Sequence, residues 1–162
     1  MSAELDRSKI LVSARFRPMT LVDVPAVIAV ERSAYPFPWS DGVFRDCIRV
    51  GYLCRVVECL GEVGGYGIMS YGAGEAHILN ICIREDLRGG GLGRRLMLYL
   101  IDRARGAGMQ DAFLEVRPSN QIALRLYASV GFEQIGVRPA YYQAENGRED
   151  AVILAATLQT PR

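Results

Sequence analysis

Histidine is nearly absent: His77 is the only one in 162 residues. A His-based catalytic triad would have to use it. It lies in a strand-like segment, and no G-x-S-x-G nucleophile motif occurs in the chain. Cysteine is sparse too. Cys47, Cys54, Cys59 and Cys82 form no C-x-x-C pair, so a zinc site lacks its usual spacing and four reduced, mostly buried thiols are expected, with no metal. Excess charge of either sign is missing. Nineteen basic residues against 18 acidic ones give a formal net charge of +1, which argues against a broad surface for direct nucleic-acid binding. No apolar run approaches the roughly 18 residues needed to span a bilayer. Met1 to Arg15 mixes charges with Ser and Ala and lacks the apolar core of a signal peptide. These absences predict a cytoplasmic protein with no membrane association.

What is present fits one compact domain. Half of the residues are hydrophobic, enough for a substantial core at this length. Residues 1–15 read as an N-terminal tail and 16–160 as a single domain, without internal repeat or linker. Phe16 to Met19 reads as a short strand. Asp23 is a plausible helix N-cap and Pro25 fits the first turn of a helix to about Ser33. Two prolines keep Ala34 to Trp39 out of regular helix, and Ser40 then caps a second helix to about Arg49. Tyr52 to Glu58 and Gly65 to Tyr71 read as a hairpin around Gly61, with Ala76 to Ile83 as its third strand. Leu92, Leu96 and Leu100, with Met97, Ile101 and Ala104, recur at helical spacing. Ala112 to Val116 is a strand, and Pro118-Ser119-Asn120 opens a helix closed at Gly131. Phe132 to Val137 and Ala151 to Leu158 are the last strands, around a polar loop carrying Tyr141, Tyr142 and Gly147. Short turns early in the chain predict antiparallel pairing, and the later crossover helix predicts at least one parallel pair.

Between the Ile78 to Ile83 strand and the Leu92 helix lies Arg88-Gly89-Gly90-Gly91-Leu92-Gly93. Strand, glycine turn and helix start together make an anion cradle. No Lys-Ser/Thr follows the glycines, so this is not a P-loop, and its mid-chain position does not suit a dinucleotide fold. The turn meets the pattern R/Q-x-x-G-x-G/A through Arg88, Gly91 and Gly93, and in this the chain resembles the GNAT acetyltransferases. Ala34 to Ser40 (AYPFPWS), Leu114 to Asn120 (LEVRPSN), Ala123 to Phe132 (ALRLYASVGF) and Gly147 to Leu154 (GREDAVIL) narrow the resemblance to the RimI branch. That branch acetylates N-terminal alanine on a small-subunit ribosomal protein. The likeness runs from about Phe16 to Leu158.

The resemblance implies an α/β (α+β-like) GNAT fold, a mixed and mostly antiparallel sheet flanked by about four helices. It implies acetyl-CoA as cosubstrate and a protein N-terminal peptide as partner, on a monomer or weak dimer. The pyrophosphate would lie on the amides of Arg88, Gly89, Gly90, Gly91, Leu92 and Gly93. The backbone of Ile81, Cys82 and Ile83 would pair with the pantetheine arm. Gly89 departs from the family, where many members carry a larger polar residue; three successive glycines should loosen the turn.

Glu115 interrupts an apolar strand and must face solvent, a partner or a site. A salt bridge to Arg117 or another sheet-face arginine is one reading; the resemblance makes it the general base, directly or through water. Tyr127 reads as amphipathic core by spacing and, by resemblance, as the general acid for the leaving thiol. Asn120 reads as an N-cap and, by resemblance, as a cofactor contact. Tyr35, Phe37 and Trp39 either cover core or wall the acceptor groove, and Tyr141 and Tyr142, beside Pro139, are placed to clamp a short acceptor backbone. Arg148, Glu149 and Asp150 are a solvated cluster or help to shape that groove, and Arg84, Arg94 and Arg95 read as surface charge, with contact to the coenzyme phosphates as the lesser alternative. A GNAT enzyme for lysines or small amines, and a non-catalytic acyl-CoA-binding module, remain as alternatives.

Overall fold

The computed structural model describes residues 3–159, so residues 1 and 2 of the expected tail and residue 160 of the expected domain lie outside the described residues. The chain divides into two compact units. The first holds the chain up to Met69 together with Asn80–Leu96, and the second holds Ser70–Leu79 and the chain from Met97 onward.

The first unit opens with α1 (Ala3–Ser13), on residues expected as a tail, and then β1 (Arg15–Pro18). Helix α2 (Val24–Ala34) buries Val24, Val27, Ile28 and Glu31, one face at i, i+3, i+4 and i+7. Pro25 stands in its first turn as expected, but the Asp23 carboxylate does not cap it. It accepts instead from the Arg17 guanidinium (2.8 and 2.9 Å) and the Thr20 N–H (2.8 Å), because a charged fork outcompetes a helix amide. Helix α3 (Asp41–Arg49) is capped by Ser40, whose Oγ accepts from the Val43 N–H at 3.3 Å. It buries Phe44, which meets Tyr66 edge-on at 5.5 Å and Trp39 at 5.3 Å.

Strands β2 (Leu53–Cys59) and β3 (Glu62–Gly72) form the expected hairpin, turning at Leu60 and Gly61, both with positive φ. With the C-terminal half of β4 (Glu75–Ile83) the order in this unit is β1-β2-β3-β4. Gly65 lets β3 approach β4 closely: a Cβ there would stand 2.6 Å from the Cys82 carbonyl oxygen.

In the second unit the N-terminal half of β4 pairs in parallel with β5 (Asp111–Val116), from Glu75↔Asp111 to Ile78↔Leu114. Helix α4 (Leu92–Gly106) is the crossover that a parallel pair needs. After α5 (Gln121–Ser129), strands β6 (Glu133–Ala144) and β7 (Gly147–Thr157) complete the order β4-β5-β7-β6, with β5–β7 and β6–β7 antiparallel. Along β5, Ala112, Leu114 and Val116 are buried, so Glu115 is turned to the opposite face.

The expected polar loop around Tyr141 and Tyr142 is a correction. Both tyrosines lie on β6, which runs on past Pro139. The register slips between Arg138 and Tyr142, Ala140 takes φ 50°, and its N–H donates to Asp150 Oδ1 at 2.9 Å. A bulge on an edge strand thus accommodates Pro139 within β6. The sheet is mixed and mostly antiparallel, as the resemblance implied, with five α-helices among the described residues. None of them is long and apolar enough to cross a membrane.

Candidate active site

The glycine turn lies wholly in the first unit. Gly89 and Gly91 take φ +82° and +86°, conformations that side chains resist, and Gly89 to Gly91 are exposed. Leu92 is buried and anchors the start of α4, so it can offer a ligand only its backbone. Among the described residues the amides of Gly89 to Gly93 donate to no backbone acceptor. Amides without backbone acceptors at the head of a 15-residue helix suit a pyrophosphate.

Arg88 shows why the turn opens with arginine. Its Nε donates to the Ile83 carbonyl at 2.9 Å and its Nη2 approaches Cys82 Sγ at 3.9 Å, so the side chain clasps the end of β4 to the turn. Two residues earlier in β4, the Ile81 carbonyl accepts from the Tyr35 hydroxyl at 2.9 Å. Ile81 and Ile83 thus both accept hydrogen bonds from side chains at their carbonyls.

Behind this strand end lies a buried acid. Glu31 is 2% exposed and accepts from Tyr66 Oη (3.1 Å) and from Asn80 Nδ2 (2.8 and 3.1 Å). Burial pushes its carboxyl above the ordinary range, against the opposing pull of those two hydrogen bonds. Burial likewise raises the Tyr66 hydroxyl and the Cys82 thiol. All four cysteines are free and buried, as expected, and burial holds the Cys54 thiol at about 11. None offers a thiolate. Among the described residues no group of His, Cys, Asp and Glu could hold a metal ion.

The second unit carries the carboxylate that the sequence singled out. Glu115 is 13% exposed at its side chain, and Oε1 stands 3.4 Å from Arg138 Nε on β6 and 3.9 Å from His77 Nε2 on β4. The sheet-face arginine is therefore Arg138. Arg117 turns away to Glu149 Oε1 (3.2 Å) and the Gln143 carbonyl (2.8 Å). Burial first, and then a hydrogen bond donated to Glu115, push the Tyr141 hydroxyl up; burial sets Tyr142 at about 12. The two rings meet at 4.9 Å, with Arg138 over Tyr141 and Arg117 over Tyr142.

Ser119 donates to Glu149 through its N–H and hydroxyl, both at 3.1 Å, so Glu149 ties the loop before α5 to β7. Asn120 caps α5, its Oδ1 accepting from the Ala123 N–H at 3.2 Å. Tyr127 is buried with its ring 6.3 Å from Phe132.

The residues proposed from sequence thus divide. Ile81, Cys82, Ile83, the glycine turn, Tyr35, Phe37 and Trp39 belong to the first unit; Glu115, Asn120, Tyr127, Tyr141 and Tyr142 belong to the second. Tyr35 is drawn to the β4 backbone, Trp39 to Phe44, and Phe37 is 41% exposed. Sequence reasoning passed over Glu31, Asn80 and Arg138, and weighed His77 only as a member of a triad. Only Glu31 carried a signal, an acid on the apolar face of α2.

The wider likeness agrees. Residues 24–132 match the model of the acetyltransferase (GNAT) family. The chain is 38% identical over 133 residues to the [ribosomal protein bS18]-alanine N-acetyltransferase of Escherichia coli K12, covering 82% of this chain and 90% of that protein. The enzyme of the same name from Salmonella typhimurium is 35% identical over 137 residues, 85% of this chain and 93% of its own. The crystal structure of the ribosomal-protein-S18-alanine N-acetyltransferase from Escherichia coli superposes with TM-score 0.86 at 34% identity, covering 92% of this chain and 96% of that one. The chain belongs to the GNAT acetyltransferase family and is an acetyl-CoA-dependent N-acetyltransferase.

Proposed function

We propose that this enzyme acetylates the α-amino group of a protein N-terminus in the cytoplasm, with the N-terminal alanine of ribosomal protein bS18 as its acceptor. The observation that carries the reading is Glu115, a carboxylate on the less buried face of β5 with Arg138 and the Tyr141 hydroxyl on it. Relatives that act on bS18 supply the acceptor. Acetyl-CoA supplies an activated thioester carbon. The amides of Gly89 to Gly93 hold its pyrophosphate, and the backbone of Ile81 to Ile83 lies along its pantetheine arm. Asn120 adds a side-chain contact.

Glu115 takes the proton of the incoming amine, directly or through water, and the Tyr127 hydroxyl gives one to the departing thiolate. The new bond is N–C and the broken one C–S. Burial raises the Cys82 thiol, which supports direct attack over a covalent enzyme intermediate. Tyr35, Phe37, Trp39, Tyr141 and Tyr142 wall the acceptor. An α-amine near pKa ~7.8 is roughly a quarter neutral at pH 7.4, whereas a lysine near ~10.4 is about a thousandth neutral. One carboxylate base suits the first acceptor.

Mass spectrometry of a peptide with the bS18 N-terminus and an internal lysine, incubated with enzyme and acetyl-CoA, tests the reading. Acetyl on the α-amine alone is expected; equal labelling of the lysine would refute it.

A further inference from the structure

We infer that α1 is a brace for the glycine turn, and that Arg7 and Leu11 are positioning residues for coenzyme binding. This rests on the assignment of the turn to the pyrophosphate. Three contacts, all within the first unit, tie the helix to the turn and its neighbour α4. The Arg7 guanidinium donates through Nη2 to the Arg88 carbonyl. The Leu11 side chain fills the space beside Gly90, where a Cβ would stand 2.5 Å from Leu11 Cδ1 and 3.0 Å from Cδ2. Arg95, in the first turn of α4, donates to the carbonyls of Leu11 (3.0 Å) and Ala14 (3.3 Å), capping the end of α1.

Peptide geometry fixes which side of the turn the brace occupies. In a trans peptide the C=O of one residue and the N–H of the next point in opposite directions. The Arg88 carbonyl points to Arg7, so the Gly89 N–H points away from it. The brace therefore grips the turn on a carbonyl side and leaves that amide to the ligand side. Three adjacent glycines carry the largest backbone entropy to lose on ordering. A helix that holds them before the ligand arrives removes that loss from the binding step. Gly90 does not have positive φ, so what the fold needs there is space for Leu11.

The test compares coenzyme A with pantetheine, which lacks the pyrophosphate, by calorimetry on the full chain. Leu11→Ala and Arg7→Gln are each expected to weaken coenzyme A about tenfold, or ~1.4 kcal/mol, with pantetheine binding unchanged. KM for acetyl-CoA rises while kcat holds. In the ligand-free protein, the backbone order parameters of Gly89 to Gly91 fall. Gly90→Ala gives the same loss, and adding Leu11→Ala to it costs nothing more, since both act by lifting α1. Equal losses for coenzyme A and pantetheine, additive losses in the double variant, or tighter coenzyme A binding on removing the Leu11 side chain would each overturn the brace. A wild-type protein that binds pantetheine as well as coenzyme A would overturn the pyrophosphate assignment beneath it.

Discussion

Replacing Glu31 separates a pH-dependent effect from a fixed one. In Glu31→Ala, the Tyr66 hydroxyl and the Asn80 amide lose the carboxylate that takes three contacts of 2.8–3.1 Å. Tyr66 is fully buried, and water does not replace its partner. Each orphaned donor costs about 1–3 kcal/mol, so the variant loses about 2–6 kcal/mol. Glu31→Gln keeps one acceptor oxygen but turns an N–H2 group toward the other donor, and loses about 1–3 kcal/mol. The pH dependence lies in the comparison of wild type with glutamine. Burial raises the folded-state carboxyl above its ordinary 4.5, so between the two values the folded chain binds more protons than the unfolded one. Glu31's contribution is therefore full below about 4.5 and falls as pH rises through the folded value. Glutamine never ionises, so the stability deficit of Glu31→Gln should shrink as pH rises across that window. Urea titrations followed by the fluorescence of Trp39, the single tryptophan and a first-unit residue, give the two curves. A deficit that is constant with pH, or an alanine variant within ~1 kcal/mol of wild type, would refute the coupling of burial to charge at Glu31.

Gly65→Ala places a Cβ 2.6 Å from the Cys82 carbonyl oxygen, a backbone atom that cannot rotate away, and should cost about 1–3 kcal/mol in thermal melts while raising KM for acetyl-CoA. Glu115→Gln is expected to lower kcat/KM by roughly 10²–10⁴, most severely at the acid end of the pH range where less acceptor amine is neutral; a loss independent of pH would count against the base. Tyr127→Phe should cut turnover far more than coenzyme affinity, as single-turnover and binding measurements would show. Glu149→Gln should cost under about 1 kcal/mol at neutral pH, because the pair with Arg117 is partly solvated. Ser119 first and then Arg117 hold that carboxyl below its ordinary range, so its contribution is present above 4.5 and is lost as pH falls through the lower folded value.

Local signals were legible where one residue and its neighbours decide the outcome. Ser40 before α3, Pro25 in α2, the Leu60-Gly61 turn and the apolar spacing of α4 all depend on geometry within a few positions. Legibility ended where distant groups compete. Asp23 is a good cap by type, yet Arg17 claims it. The stretch after Val137 reads as a polar loop, yet β7 carries β6 through it by a slip in register. Residues 3–13 show little amphipathic pattern, and the contacts of α1 with Gly90 and Arg88 come from 79 and 81 residues along the chain.

Glu115 shows the same division within one residue. Its alternation along β5 already implies a carboxylate off the buried face, because Leu114 and Val116 must both turn inward. What that carboxylate meets depends on β7 returning antiparallel beside β5 and on β6 lying beyond it, with the bulge before Tyr142 setting where Tyr141 falls. Without the slip, the period-two alternation of β6 would run unbroken past Arg138, and Tyr141 would face away from it. With it, both lie on Glu115. The bulge that hid the tyrosines from sequence reasoning is thus the device that brings Tyr141 to the base, and straightening it by changing Pro139 and Ala140 is expected to lower acceptor affinity with Glu115 left in place.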